Sequence, residues 1–262
     1  MSLTGMSLKE HYASHPRLRG GNHLIDCLPP QQRAAFLALC EPIELAVGTV
    51  LSEAGQPYRH AYFPVRGAIS LASQCSGHPP FETESIGYQG MLGATLALNI
   101  NLASQRSVVQ TPCIALQVTA KQLQKALRDH PALLQIVQRY LFTVYAALQQ
   151  TAVCVRFHSV EERLARTLLL AHDRDQTNHL PMTHRLLAGI LGVQRGAVTI
   201  AAIKLQRDGL IHYRRGKVSI LNRRGLEAQA CECYRVSSVH YANLHLLTGK
   251  TSPYVRYRTD RK

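Results

Sequence analysis

The spacing of apolar and polar positions divides the chain into segments of different periodicity. Between residues 48 and 90, short β-prone runs alternate with glycines at intervals of about ten residues, and this pattern predicts a small antiparallel roll or sandwich. Residues 106–118 continue the pattern as two strands broken at Pro112. Ahead of the strands, residues 24–39 predict a short helix that a proline pair opens.

A long helical stretch without glycine or internal proline extends from Pro131 to His158. Its apolar stripe has three- and four-residue steps and consists of Leu134, Val137, Leu141, Val144, Tyr145, Leu148 and Thr151. A helix of this length has too little intramolecular surface to cover its whole stripe, so we expect a second copy of the chain to cover it as in a coiled coil. The alternative is that the stripe belongs to the core of the roll.

Local signals in the last hundred residues predict a winged helix-turn-helix. Ser159 begins a fresh helix that ends near Asp173, and Thr183 is the predicted N-cap of a short helix. A second helix runs from about residue 194 to 207, and residues 210–222 are two β-prone segments around a basic tip. In a winged helix-turn-helix, the second helix enters a major groove and the hairpin contacts phosphates.

The two short helices share an apolar inner face around Gly192, which permits the sharp turn between them. The predicted inner face is Leu186, Leu187, Ile190, Leu191, Val193, Val198, Ala201, Ala202 and Leu205. The candidate DNA-binding residues are Thr183, Gln194, Arg195, Gly196, Thr199, Lys204, Arg214, Arg215 and Lys217. Arg195 can donate to both acceptors of a guanine edge, a pairing worth about 1–3 kcal/mol of discrimination. Gln194 and Thr199 suit an adenine edge or a phosphate, and the basic tip suits phosphates. The alternative for each cation is an ordinary solvated charge.

The charge distribution supports a polyanionic partner. The formal net charge is +14, from 30 Lys and Arg against 16 Asp and Glu. Residues 1–158 hold 12 basic and 8 acidic residues, net +4, whereas residues 159–262 hold 18 and 8, net +10. The excess therefore lies with the predicted winged helix-turn-helix, which favours nucleic acid over an anionic membrane. No apolar run approaches the roughly 20 residues of a membrane span, so we expect a cytoplasmic protein without membrane contact.

Cysteine spacing argues against several site classes. The seven cysteines, at positions 27, 40, 75, 113, 154, 231 and 233, show no Cys-x-x-Cys spacing, so the sequence predicts neither a disulfide framework nor a metal site. Cys75 and His78 in a predicted hairpin are too isolated to indicate a haem or metal ligand pair. An enzyme is the rival class, but no Gly-x-Ser-x-Gly, His-Glu-x-x-His or phosphate-binding glycine loop supports it.

The segments ESIGYQGMLG, SVEERLARTLLLAHDR, LPMTHRLLAGILGV and LQRDGLIHYRRGKVSILNRRGLE resemble the cyclic-AMP receptor protein/Fnr (Crp/Fnr) superfamily of bacterial transcription regulators, over about residues 24–230. The resemblance implies an α+β fold with a cyclic-nucleotide-binding-like β-roll (jelly roll), a homodimer through the long helix, and DNA binding by the second short helix. The expected organisation is a flexible arm over 1–22, an effector-sensing β-roll over 23–130, a dimerisation helix over 131–158, the winged helix-turn-helix over 159–230, and a C-terminal helix with a basic tail over 231–262.

The sensory half departs from the nucleotide-binding members of that superfamily. Their Gly-Glu-Leu segment corresponds to Gly90, Met91 and Leu92 here, so the glutamate that holds the ribose is missing, and only Arg106 and Ser107 match the phosphate-binding pair. These five residues are the candidate effector contacts, and cyclic AMP is not the expected effector. The N-terminal cysteine cluster of the iron–sulfur members is also missing, so we predict no iron–sulfur cluster, no haem and no other cofactor.

The sequence thus predicts a homodimeric, sequence-specific DNA-binding transcription regulator controlled by an unidentified small-molecule or redox effector. The two recognition helices of a dimer should reach half-sites about 34 Å apart, so the DNA target should be pseudo-palindromic. RNA polymerase is a further candidate partner. The alternative is a constitutive DNA-binding protein whose roll is only structural.

Overall fold

The computed structural model describes residues 21–74, 76–77, 80–175 and 177–237. The predictions about Cys75 and His78, about residues 1–20 of the arm, and about the basic tail lie outside the described residues. The helices are α1 His23–Asp26, α2 Pro30–Leu37, α3 Ala120–Asp129, α4 Pro131–Phe157, α5 Val160–Asp175, α6 His184–Leu191, α7 Arg195–Arg207 and α8 Arg223–Gln229. The strands are β1 Glu41–Leu45, β2 Val50–Ser52, β3 His60–Arg66, β4 Ile69–Ser73, β5 Phe81–Ile86, β6 Arg106–Val109, β7 Cys113–Thr119, β8 His179–Leu180, β9 Ile211–Arg214 and β10 Lys217–Ile220, and a 3-10 helix spans Ala94–Leu98.

The N-terminal half is the predicted antiparallel roll. Its strands form two sheets, in the orders β1-β7-β3 and β2-β6-β4-β5, and every pairing is antiparallel. Side chains from both sheets and from α1 and α2 share one buried core, in which the rings of Phe36 and Phe63 meet edge to face at 5.4 Å. Asn22 was predicted to belong to the flexible arm, but it is fully buried and its amide donates to the carbonyl oxygens of Pro64 and Gly90.

The long helix α4 packs its first half into this roll. Leu133, Ile136, Val137 and Tyr140 belong to the roll core. The predicted dimerisation stripe is therefore divided: Val137 is fully buried within the chain and is closed to a partner, and Leu134, Leu141 and Val144 pack partly against the same core. Periodicity gave the direction of the inner face correctly, but it could not identify which surface covers that face. Tyr145 and Leu148 remain exposed.

The C-terminal half has a second core, built by α5 to α8 and the three-stranded sheet β8-β10-β9. Ser159 and Glu162 form the predicted capping box of α5, with the Ser159 backbone N–H donating to the Glu162 carboxylate at 2.8 Å. Among the described residues, no single helix combines the length and apolarity needed to cross a membrane. The α6–α7 pair meets those criteria only when its two helices are taken together, and it is bent by 108°.

Candidate nucleic-acid interface

The turn between α6 and α7 sets the angle of the two helices. Thr183 caps α6 by accepting from the Leu186 N–H at 3.1 Å, and Gly192 ends α6 in the left-handed region, at φ 63°. The 108° bend that results is typical of a helix-turn-helix. A Cβ at Gly192 would lie 2.8 Å from the Phe81 ring, so the glycine also allows the turn to touch the roll.

The first turn of α7 is exposed, as the sequence predicted. Gln194 is the N-cap residue but its side chain makes no capping hydrogen bond, so its amide is available to a ligand. Arg195 is exposed. The pKa of the neighbouring His184 is lowered, mainly because His184 is partly buried and secondly because of the positive charge of Arg195. A Cβ at Gly196 would meet no atom within 4 Å, so the fold does not require this glycine. Its missing side chain leaves room for a close approach by another molecule.

Two predicted DNA contacts already have partners inside the domain. The Lys204 ammonium lies 2.6 Å from the Glu161 carboxylate, which joins α7 to α5. The Thr199 hydroxyl donates to the Arg195 carbonyl at 3.1 Å and lies 3.0 Å from Nδ1 of His184. The sequence placed both residues outside the apolar face correctly, but it did not show that they face neighbouring elements. Gln194, Arg195 and Gly196 are therefore the candidates with free surface at the start of α7.

The centre of the outer face of α7 was not among the predicted DNA contacts. Val198, Ala201, Ala202 and Leu205 form its buried face. On the opposite side lie Ile200, which is 73% exposed, Ile203, which is 61% exposed, and Arg207. Two exposed isoleucines one turn apart can contact thymine methyl groups in a major groove. The apolar residues outside the predicted inner face were the signal that could have identified this surface.

The wing consists of β9, β10 and the turn between them. Arg215 and Gly216 have φ values of 49° and 78°, so a two-residue turn with two positive φ angles joins the strands. Arg214, Arg215 and Lys217 are all exposed at this tip. A Cβ at Gly216 would lie 3.1 Å from the Thr183 methyl carbon, which places the wing tip beside the start of α6. The predicted basic tip therefore lies beside the N-terminus of α6.

Comparisons with known proteins agree with this architecture. FixK2 from Bradyrhizobium japonicum has a TM-score of 0.65 at 15% identity, over 73% of this chain and 98% of that chain. The c-di-GMP-responsive global regulator CLP from Xanthomonas campestris has a TM-score of 0.61 at 20% identity, over 73% of this chain and 99% of that chain. A CRP-family transcriptional regulator from Thermus thermophilus has a TM-score of 0.61 at 19% identity, over 72% and 96% of the two chains.

Residues 162–229 match the family model of the Crp-like helix-turn-helix domain. This part of the chain therefore contains a Crp-like helix-turn-helix domain. The solved structures named above share their fold with most of this chain, and two of them are described as regulators. No curated protein sequence matches the chain.

The effector contacts inferred from the resemblance fall into two groups in the structure, and Gly90, Met91 and Leu92 form the first. Met91 and Leu92 are each 1% exposed and belong to the roll core. Gly90 lies under the ring of Tyr140, because a Cβ there would be 2.5 Å from the tyrosine hydroxyl oxygen. These three positions therefore serve the packing between the roll and α4.

The remaining pair of predicted effector contacts lies elsewhere on the roll. Arg106 is exposed and its Nε lies 3.1 Å from a carboxylate oxygen of Glu53. Ser107 is fully buried, and its hydroxyl lies 2.6 Å from the Ser52 hydroxyl. The Ser107 hydroxyl is thus engaged inside the roll, whereas only the Nε of Arg106 is paired and an effector role for this arginine stays a prediction.

A cavity of about 350 Å³ lies between the roll, α4 and the DNA-binding domain. Its polar lining includes Glu82 and Glu84 on β5 and three arginines of α5, namely Arg163, Arg166 and Arg174. Burial raises the pKa of Glu84 to about 7, although the Tyr140 hydroxyl donates to it at 3.0 Å. Burial also raises the pKa of Glu82, against hydrogen bonds that favour its charged form. This cavity was not predicted from the sequence, because its lining comes from distant elements.

A second group of side chains that the sequence did not predict lies at the end of α4. Cys154, His158, Cys231 and Cys233 bring their sulfur and ring nitrogen atoms within 4.8 Å of one another. No metal site was predicted, because the sequence has no Cys-x-x-Cys spacing. The overlooked signals are the four-residue step between Cys154 and His158, which puts both on one helix face, and the Cys-x-Cys pair that follows α8.

Proposed function

We propose that the chain is a homodimeric, sequence-specific DNA-binding regulator whose activity depends on an effector other than cyclic AMP. The observation that carries the proposal is the shared exposure of the start of α7 and the basic wing, in the half of the chain with net charge +10. In this arrangement α7 enters a major groove, with Arg195 donating to a guanine edge. The wing cations contact phosphates and fix the register.

The homodimer rests on the outer face of α4. Phe142 is 65% exposed, Tyr145 is 59% exposed and Leu148 is 40% exposed, and the three follow one another at three-residue steps. The chain's own described residues leave these side chains uncovered, and a second α4 offers a matching apolar surface. A two-fold dimer would present two α7 helices to half-sites about 34 Å apart, so we expect a pseudo-palindromic target. We also propose that the chain contacts RNA polymerase, because a regulator of transcription acts on that enzyme.

The effector proposal follows from the sensory half. Met91 replaces the ribose-binding glutamate of the nucleotide-binding members and is buried, and Arg106 is paired with Glu53. Cyclic AMP therefore lacks the carboxylate that holds its ribose in those members. The cavity between β5, α4 and α5 borders both halves of the chain, so a ligand there would change contacts of the roll and of the DNA-binding domain together.

Paired substitutions on the DNA surface test the proposal. Target duplexes are first selected from a random library, and binding to the selected site and to a scrambled duplex is then measured over a range of salt concentrations. Arg195→Ala should reduce the ratio of specific to scrambled affinity by about 5- to 150-fold, the equivalent of about 1–3 kcal/mol. Lys217→Ala should weaken both affinities alike and lower the salt slope by about one.

Arg59→Ala is the matched control, because Arg59 is an exposed arginine on the roll. It should change neither the affinity ratio nor the salt slope. An equal loss on both duplexes for Arg195→Ala would remove Arg195 from base recognition. Selected sites without two-fold symmetry would argue against the dimer.

A further inference from the structure

The end of α4 and the segment after α8 meet at a compact group of one histidine and three cysteines. Cys154 and His158 lie on the last turn of α4 and at its C-cap, and Cys231 and Cys233 follow Ala230, the C-cap of α8. The three cysteines are buried and form a small cluster separate from the two main cores. Four side chains of this kind are the ligand set of a structural Cys3His zinc site.

The distances within the group fit one tetrahedral ion. A zinc ion with Zn–S bonds of about 2.3 Å and a Zn–N bond of about 2.0 Å separates its sulfur ligands by about 3.8 Å and its sulfur and nitrogen ligands by about 3.5 Å. The Cys154 and Cys231 sulfur atoms lie 3.6 Å apart, and the Cys233 sulfur lies 3.4 Å from Nδ1 of His158. All four ligand atoms lie within 4.8 Å of one another.

The surroundings orient the histidine for this role. Nε2 of His158 lies 3.3 Å from a carboxylate oxygen of Glu232, while Nδ1 points to the cysteine group. Histidine ligands of metal ions commonly donate their other ring N–H to a carboxylate, which fixes the tautomer and the ring orientation. Glu232 therefore leaves the Nδ1 lone pair for the ion.

The charges and donors around the sulfur atoms also suit metal-bound thiolates. The Gln150 amide donates to the Cys233 sulfur at 2.9 Å. The guanidinium groups of Arg163 and Arg166 lie close enough to interact electrostatically with the Cys154 sulfur. Three thiolates and one Zn²⁺ carry a net charge of −1, which these arginines offset. A cluster of ordinary apolar cysteines would not require these partners.

We propose that Cys154, His158, Cys231 and Cys233 bind one Zn²⁺ ion. Binding replaces the three thiol protons, which leave to solvent, and uses the neutral Nδ1 of His158 as the fourth ligand. His158 directly precedes Ser159, which opens α5, so the ion joins the end of α4 and the entrance to the DNA-binding domain to the segment that follows α8. The site lies outside the DNA surface, and its existence is independent of the proposed DNA sequence recognition.

A disulfide between Cys154 and Cys231 is the competing use of two of these residues. It requires the sulfur atoms to move from 3.6 Å to about 2.05 Å apart, and it leaves Cys233 and His158 without a role. The four-ligand arrangement uses every member of the group. All six described cysteines are free thiols, which is the reduced state that a zinc site needs.

Metal analysis of the tag-free, full-length chain, purified in a thiol reductant, tests the proposal. We expect about one zinc ion per chain in the wild type. Cys231→Ser, Cys233→Ser and His158→Asn should each lose most of it, and His158→Cys should retain it because a fourth thiolate can replace the imidazole. Cys27→Ser, which changes a half-buried cysteine of the roll, is the matched control and should keep its zinc.

A second measurement separates metal binding from misfolding. Co²⁺ added to the metal-free wild type should give the ligand-field bands of a tetrahedral site and a thiolate-to-metal charge-transfer band, and Cys231→Ser should weaken both. Removal of zinc should lower the thermal unfolding midpoint of the wild type and of Cys27→Ser, with no shift for Cys231→Ser. Three results would each overturn the proposal. The first is stoichiometric iron and sulfide in the purified chain, the second is an equal zinc content in the wild type and Cys233→Ser, and the third is a Cys154–Cys231 disulfide in the reduced preparation.

Discussion

Replacement of Glu84 by glutamine should remove a pH dependence of stability that originates in the interdomain cavity. Burial, together with the nearby carboxylate of Glu82, raises the pKa of Glu84 from 4.5 to about 7, against the Tyr140 hydroxyl that donates to it. The folded state therefore binds a proton at Glu84 more tightly than the unfolded chain does. The stability that this proton contributes is fully present below about pH 4.5 and is lost as the pH rises through about 7.

The size of the effect follows from the difference between the two pKa values. A difference between 4.5 and about 7 corresponds to at most about 3 kcal/mol of unfolding free energy, since one pKa unit is worth about 1.4 kcal/mol. Glu84 is only half-buried beside a cavity that admits water, so we expect a smaller change of about 1–2 kcal/mol. The glutamine of the variant keeps an oxygen that accepts from Tyr140 but carries no charge at any pH.

Urea unfolding followed by circular dichroism, at intervals between pH 5 and pH 8, measures the effect. The difference in unfolding free energy between Glu84→Gln and the wild type should grow in favour of the variant by about 1–2 kcal/mol over this range. Glu53→Gln, at an exposed carboxylate, is the control and should show no comparable growth. Parallel pH profiles for the wild type and Glu84→Gln would refute the assignment of a proton to Glu84 in the folded cavity.

Two further outcomes concern DNA recognition and assembly. Ile200→Ser should reduce the preference for thymine over deoxyuridine in the selected duplex by about fourfold, because a buried methyl group is worth about 0.8 kcal/mol, and competition binding with both duplexes measures it. If the wild type binds both duplexes equally, the methyl contact is wrong. Phe142→Glu should shift the chain from dimer to monomer in sedimentation, whereas Gln31→Glu at an exposed position of α2 should not. A wild-type chain that sediments as a monomer at micromolar concentration would contradict the α4 interface.

The sequence predicted the elements with strong local signals. Thr183 and Ser159 were identified as caps because a side-chain oxygen before a helix satisfies free N–H groups, and the structure has both. Gly192 was assigned the turn because a left-handed residue favours glycine. These features depend on neighbours within four residues, so the sequence alone contains them. The antiparallel strands of the roll could be predicted in outline for the same reason, but the order of the strands within the two sheets could not.

Features that depend on distant contacts were not predictable. Val137 and Tyr145 have the same helical periodicity, yet the first lies in the roll core and the second faces solvent. Lys204 lies outside the apolar face of α7, but only the fold shows that it forms an ion pair with Glu161 of α5. The cysteine group unites positions 77 residues apart in the chain. Periodicity defines the direction of a side chain from its own helix, and the identity of its neighbour comes from tertiary structure.

The contacts between the two halves of the chain suggest how the proposed effector would act. Arg163 of α5 donates to the Leu191 carbonyl at the end of α6, and the Gly192 turn touches the Phe81 ring of β5. The side chain of Arg174 lies over Gly87 of the roll, since a Cβ there would be 2.3 Å from its Cδ. These contacts hold the turn of the helix-turn-helix against the roll, yet Arg195 stays exposed. Docking of the two halves therefore leaves the DNA-binding surface accessible. A signal that moves β5 would act through the orientation of α7, and hence through the spacing of the two recognition helices in the proposed dimer.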